Sequence, residues 1–108
     1  MPTPCLEIVI FKVKNIDNAR IARRIAQDTV KHYDGFISWS AYEAKEEIGH
    51  FADLVMWRDL KAAKAAAEKV VKDPDFAAVM AEIDGLVSMA HYQLDRIVDV
   101  ETSNAVAA

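Results

Sequence analysis

Chemistry in this chain would have to come from a few side chains spread over four apolar segments: Glu7 and Phe11 in 5–14, Trp39 in 36–44, Asp53, Val55 and Trp57 in 50–58, and His91 in 87–97. A carboxylate and an imidazole inside apolar surroundings have shifted pKa values and can move protons, which makes Asp53 and His91 the candidate catalytic pair. Phe11, Trp39, Val55 and Trp57, with Glu7 beside them, would line a pocket for a small, partly aromatic molecule, because large ring faces hold planar groups with few polar contacts. Asp53 is the most demanding of the set. It interrupts the run Phe51 to Trp57 where water is scarce, and an unpaired buried charge costs several kcal/mol, so a ligand, His91 or another group has to meet it. The plain structural alternative is that Asp53 and Glu7 bond across a dimer, His91 is a satisfied core histidine, and both tryptophans pack, Trp57 at a sheet–helix corner.

Other chemistries find no residues. His32, His50 and His91 are far apart, none has a carboxylate at helical spacing, and Cys5 is the single cysteine, so no metal site is predicted. G-x-G-x-x-G, G-K-[ST] and G-x-S-x-G are all absent, and Gly35, Gly49 and Gly85 each sit where an element ends, so no organic cofactor is expected either. Lys and Arg number 13 against 17 Asp and Glu, a net charge of -4 without any basic block. Nucleic acid and an anionic membrane are therefore poor partners. Arg58 and Arg96 could meet an anionic ligand at a pocket rim, although exposed salt bridges are the commoner use of such residues. No apolar run approaches membrane-spanning length, and M-P-T-P-C-L-E has neither a basic start nor an apolar core, so a cytoplasmic location is expected, where a lone thiol stays reduced.

The elements that must position these residues follow from periodicity. Residues 5–14 read as a strand rich in β-branched and aromatic side chains. Asp17 offers a helix cap, and Ala19, Ala22, Ile25, Ala26, Val30 and Tyr33 recur at helical spacing, while Arg20, Arg23, Arg24, Gln27 and Lys31 fall elsewhere. Asp34-Gly35 ends that helix. Strands over 36–44 and 50–58 flank the polar turn 45–49 as an antiparallel hairpin. Asp59 then caps an alanine-rich helix, Asp73-Pro74 opens a short one with Phe76, Met80 and Ile83 inward, and Asp84-Gly85 leads to a last strand over 87–97. Residues 101–108 are expected to be a loose tail on a single domain spanning 1–108.

The order β-α-β-β-α-β predicts an α+β, ferredoxin-like fold: a four-stranded antiparallel sheet with both helices on one face. The strands are apolar on both faces, since Leu6, Ile8 and Ile10 oppose Val9, Phe11 and Val13, so the second face needs a cover that a two-fold homodimer supplies. Alternation puts Glu7, Phe11, Asp53, Val55 and Trp57 on one side. Ile37, Trp39, Ala41 and Glu43, then Met89, His91, Gln93 and Asp95, are expected to share it, with Tyr42 and Tyr92 opposite. This shared side is expected to line the dimer interior.

The element order, the third strand ending in Trp57-Arg58-Asp59 before a helix, and D-P-D-F-A-A-V-M over 73–80 resemble the dimeric α/β-barrel superfamily in its antibiotic-biosynthesis-monooxygenase-like branch, over about residues 5 to 97. The resemblance implies a homodimer of facing sheets with a pocket in each half, used for cofactor-free oxygenation of electron-rich aromatics, for haem degradation, or for no established activity. The haem-degrading branch works with an asparagine on the first strand, a tryptophan in the second helix and a histidine after it. Here the first strand has no Asn, the second helix is built of Ala, and Met80 stands where the histidine would, so haem is not expected. Of the mixed Asn, Trp, Tyr and Arg sets of the monooxygenases, only Trp57 matches by position. The expected function is a homodimeric barrel binding a small, partly aromatic molecule in an enclosed pocket, as a cofactor-independent monooxygenase or isomerase. The alternative is a noncatalytic structural or ligand-binding dimer. A solvent-reaching cavity of roughly 300 Å³ or more containing Asp53 or His91 would favour ligand work.

Overall fold

The computed structural model describes residues 3–100; the predicted tail 101–108 lies outside them. The elements run β1 (Cys5–Val13), α1 (Ile16–Val30), β2 (Phe36–Glu43), β3 (His50–Trp57), α2 (Leu60–Val70), a 3-10 turn (Pro74–Phe76), α3 (Ala77–Glu82) and β4 (Ile83–Tyr92). The strands form one antiparallel sheet in the order β2-β3-β1-β4, the predicted ferredoxin-like α+β architecture.

Small residues let the helices seat closely on the sheet. Ala62, Ala63 and Ala66 of α2 pack on Val55, Trp57 and Cys5, while Ala19 of α1 meets Phe11 and Phe51. The turn before β2 needs its glycine: Gly35 has φ +80°, and a Cβ there would stand 2.5 Å from that of Ala62, where no side chain fits. As predicted, Asp59 caps α2 by accepting from the Ala62 amide at 2.8 Å. The 3-10 turn is tied back to α1, since Tyr33 donates its hydroxyl to Asp73 at 2.5 Å and Thr29 donates to Asp75 at 2.8 Å. Burial, then the Asp73 carboxylate, push the Tyr33 hydroxyl pKa up, and the same bond holds Asp73 below its ordinary value.

Four sequence expectations need correction. Asn15 caps α1 in place of Asp17, accepting from the Asn18 amide at 2.8 Å while its own N–H donates to Glu82 at 3.2 Å. The inner face of α1 is Ala19, Ala22, Arg23, Ala26 and Val30, so Ile25 is exposed and Arg23 is buried, because the stripe is set by close packing of alanines and not by bulk. In α3, Val79 points inward and Met80 outward. Finally, β4 occupies 83–92 and not 87–97: irregularities on either side of Phe11 shift its register so that Val13 already pairs with Ile83. No helix among the described residues is long and apolar enough to cross a membrane.

Candidate functional site

Residues directly opposite on neighbouring strands project to the same side, so the registers group the candidate residues into rows across the sheet. One row is Phe36, Trp57 and Cys5; the next is Trp39, Val55, Glu7 and His91; a third is Ala41, Asp53, Val9 and Met89; a fourth is Glu43, Phe51, Phe11 and Leu86. All the side chains singled out from sequence therefore share one face. Ile37 drops out of the alternation, because β2 shifts register between Phe36 and Ser38. That face lies beneath the protomer's own helices and not against a second copy, as the burial of Phe51, Asp53, Val55 and Trp57 under α1 and α2 shows. The face left uncovered carries Leu6, Ile8 and Ile10 beside Ala52, Leu54 and Met56, with Tyr42 and Tyr92 at its flanks.

Asp53 finds its partner in α1. Arg23 Nε lies 3.0 Å from Asp53 Oδ1, and the two side chains are only 7% and 9% exposed. The contact is one of charges, since the two atoms are off the line of a hydrogen bond. Arg23 also donates to the Tyr42 carbonyl at 3.1 Å and lies over the Phe51 ring, 4.1 Å from its centroid. Burial pushes the Asp53 carboxyl pKa above its ordinary value, Arg23 and the Trp39 indole N–H pull it back, and Glu7 adds a smaller upward push. The Trp39 indole N–H does not meet full hydrogen-bond geometry, and its Nε1 is shielded from solvent. Burial likewise lowers the Arg23 pKa, against the opposing pull of Asp53.

Around this pair the interior is filled. Phe11 and Phe51 meet edge to face with centroids 5.9 Å apart, and the void beside them is about 10 Å³, the size of a single water at most. Val55 and Trp57 sit in the cluster under α2, where Trp57 donates to Glu7 Oε1 at 3.0 Å and takes the edge of Phe36.

His91 occupies the other end of the same face. It stands opposite Glu7 in the register, is half-buried, and its Nε2 is shielded from solvent with no hydrogen-bond partner. It lines an open cleft of about 660 Å³ between the ends of β1 and β4 and the start of α2, together with Cys5, Asp59, Lys61, Tyr92 and Gln93. Burial, with Glu7 and Asp59 nearby, raises the Cys5 thiol pKa, so it is the protonated thiol that faces the cleft. Asp53 and His91 are not brought together: two strand spacings and one row separate them, on the order of 12 Å from sheet geometry.

Sequence reasoning missed Arg23 and the cleft. Arg23 had a signal, since it falls four residues after Ala19 and three before Ala26 on the alanine stripe. The cleft had none, because it is made by the ends of three elements distant in sequence. Among the described residues no group of three or more His, Cys, Asp or Glu is placed to hold a metal.

No protein-family model matches the sequence, and no curated protein matches it either. Its likeness to solved structures is one of fold: the chain has the ferredoxin-like architecture of the antibiotic-biosynthesis-monooxygenase-like proteins. Among them, a Bordetella bronchiseptica protein provisionally named antibiotic biosynthesis monooxygenase superposes with a TM-score of 0.76 at 12% identity, over 87% of this chain and 99% of its own. A provisionally named counterpart from Nitrosomonas europaea gives 0.69 at 14% identity, over 86% of this chain and 91% of its own. SnoaB, a cofactor-independent oxygenase from Streptomyces nogalater, gives 0.64 at 14% identity, over 91% and 97%.

Proposed function

We propose that the protein is a cytoplasmic homodimer that binds a small, partly aromatic molecule in the His91 cleft and acts on it without metal or organic cofactor. The observation that carries this reading is His91 Nε2, shielded, without a partner in its own chain, and set beside a cleft large enough for a small molecule. A buried nitrogen left without a partner costs free energy that a ligand proton would recover.

His91 then serves as general base, taking a proton from an acidic O–H or C–H of the ligand. The anion so formed has two outcomes. Reprotonation at another carbon is isomerisation. Reaction with dioxygen as co-substrate is oxygenation, in which an activated CH2 and O2 become C=O and H2O; the name of SnoaB makes this the favoured outcome for a shared fold. Glu7, opposite His91, is fixed in place by the Trp57 N–H and lies on the same row as the proposed base. Asp53 serves at a distance, its pairing with Arg23 and pull on Trp39 holding the middle of the face rigid; Phe11 and Val55 fill the wall behind. The dimer is proposed to form through the uncovered face of Leu6, Ile8, Ile10, Ala52, Leu54 and Met56, too apolar to stay in water.

The test is oxygen uptake with a hydroxylated polycyclic aromatic carrying an activated methylene, such as an anthrone. Turnover by the native protein that is lost in His91→Ala, with the fold intact by circular dichroism, supports the reading; equal rates in both proteins refute it. The closed interior around Asp53 favours a second reading, a noncatalytic dimer whose buried polar groups satisfy one another. Failure of any aromatic to bind would leave that one standing.

A further inference from the structure

The His91 cleft has an acid and a base of opposite charge on its wall, Asp59 and Lys61, and the chain makes use of only one of them. Asp59 is committed within the protein: Oδ1 accepts from the Ala62 amide at 2.8 Å, and Oδ2 lies 3.6 Å from Arg58 Nε. Lys61 is exposed, and among the described residues nothing pairs with its ammonium. Other lysines are engaged, Lys31 with Asp28 at 3.8 Å and Lys69 over the Tyr33 ring at 4.3 Å, but neither lines this cleft. Lys61 is the lysine that does.

No carboxylate is left over to neutralise it there. Glu7, the acid nearest His91 in the register, receives the Trp57 N–H at 3.0 Å and does not line the cleft. Cys5 lines it as an uncharged thiol. The amides of Leu60 and Lys61, the first two of α2, have no acceptor among the described residues, because the cap serves Ala62, and they add to the positive potential beside Lys61. The cleft therefore offers a free cation on α2, an unpartnered nitrogen, His91 Nε2, on β4, and the apolar surface of Pro4 and Leu60 on the same walls.

We infer that Lys61 is the specificity-determining residue of this cleft, and that the ligand is an aromatic acid whose carboxylate Lys61 holds while its acidic O–H or C–H is presented to His91 Nε2. The inference rests on the cleft proposed above as the binding site and adds the charge of the ligand and the residue that reads it. Two points of attachment orient the ring, where a single contact to His91 leaves it free to turn. Since the ammonium is exposed, the preference it confers is modest and falls as salt is raised.

The experiment is an NMR titration at low ionic strength, followed at the His91 imidazole, with 2-naphthoate and with its uncharged counterpart 2-naphthamide. Native protein is compared with Lys61→Gln and with Lys64→Gln, which removes an exposed charge one turn along α2 that does not line the cleft. The expected result is about fivefold tighter binding of the naphthoate by the native protein and by Lys64→Gln, narrowing to within about twofold in Lys61→Gln. Equal affinities for the two compounds in the native protein, with His91 shifting for both, overturn the preference for an acid and leave the cleft standing. A preference that survives Lys61→Gln, or that is lost equally in Lys64→Gln, overturns the assignment to Lys61. A His91 that responds to neither compound counts against the cleft as the binding site and takes the inference with it.

Discussion

The two ends of the helix-covered face make opposite uses of polar groups. At one end Asp53 is met by Arg23 at 3.0 Å, and the void that Arg23 lines with Phe11 and Phe51 is only about 10 Å³. At the other, His91 Nε2 has no partner and borders a cleft of about 660 Å³. Both groups lie on the same face, one row and two strands apart. Burial alone therefore does not mark a site; the difference is whether the chain itself supplies the partner.

Breaking the closed end should have the largest effect. Arg23→Ala leaves the Asp53 carboxylate buried and unpaired, and should destabilise by about 3–5 kcal/mol in urea unfolding. A loss below roughly 1 kcal/mol would show that water reaches Asp53 and that the end is not closed. Because Asp53 titrates above its ordinary 3.8, the folded state holds its proton to higher pH than the unfolded chain does. The stability it contributes is then full below that value and declines as pH rises through the folded pKa. Asp34, Glu43 and Asp73, whose pKa values are lowered, behave in the reverse way: their stabilisation holds above the ordinary carboxylate range and is lost as pH falls through their folded values. In Arg23→Gln the Asp53 midpoint, read from its carboxyl carbon by NMR, should climb further, and a fall would contradict the pairing.

The shared face was legible in the sequence because strand alternation has period two, and one fixed residue per strand sets the rest. That alternation alone places Glu7, Asp53, Trp39 and His91 together, and Asp59 ahead of the alanine run reads as a cap. What covers that face was not legible. Both faces are apolar, so the pattern could not distinguish helices from a second copy. Arg23 was hidden for a related reason: a charged residue does not read as part of an apolar stripe, and only its position among the alanines indicated burial. The early start of β4 depends on irregular pairing around Phe11, and the cleft on three element ends, neither of which a linear pattern encodes.

Changes at the open end should be milder for the fold and severe for function. His91→Ala should alter stability by no more than about 1 kcal/mol, since it removes a nitrogen that makes no bond within the chain, while abolishing turnover. A large loss of stability would assign His91 to the core. Trp57→Phe, which keeps an aromatic ring against Phe36 and deletes the hydrogen bond to Glu7, should cost about 1–2 kcal/mol, between the losses expected for Arg23→Ala and His91→Ala. It should also lower turnover through the loosened Glu7 carboxylate, and an unchanged rate would remove Glu7 from the mechanism.

The contrast between the ends is tested most directly by mapping an aromatic ligand onto the protein. In an NMR titration with a soluble anthrone or a related polycyclic phenol, the His91 imidazole and the amides of Cys5, Lys61 and Gln93 should shift together and saturably, with Asp53 and Arg23 unmoved. Shifts centred on Asp53, Trp39 and Arg23 with His91 silent would show that the closed end opens to receive the ligand, and would contradict the placement of the site.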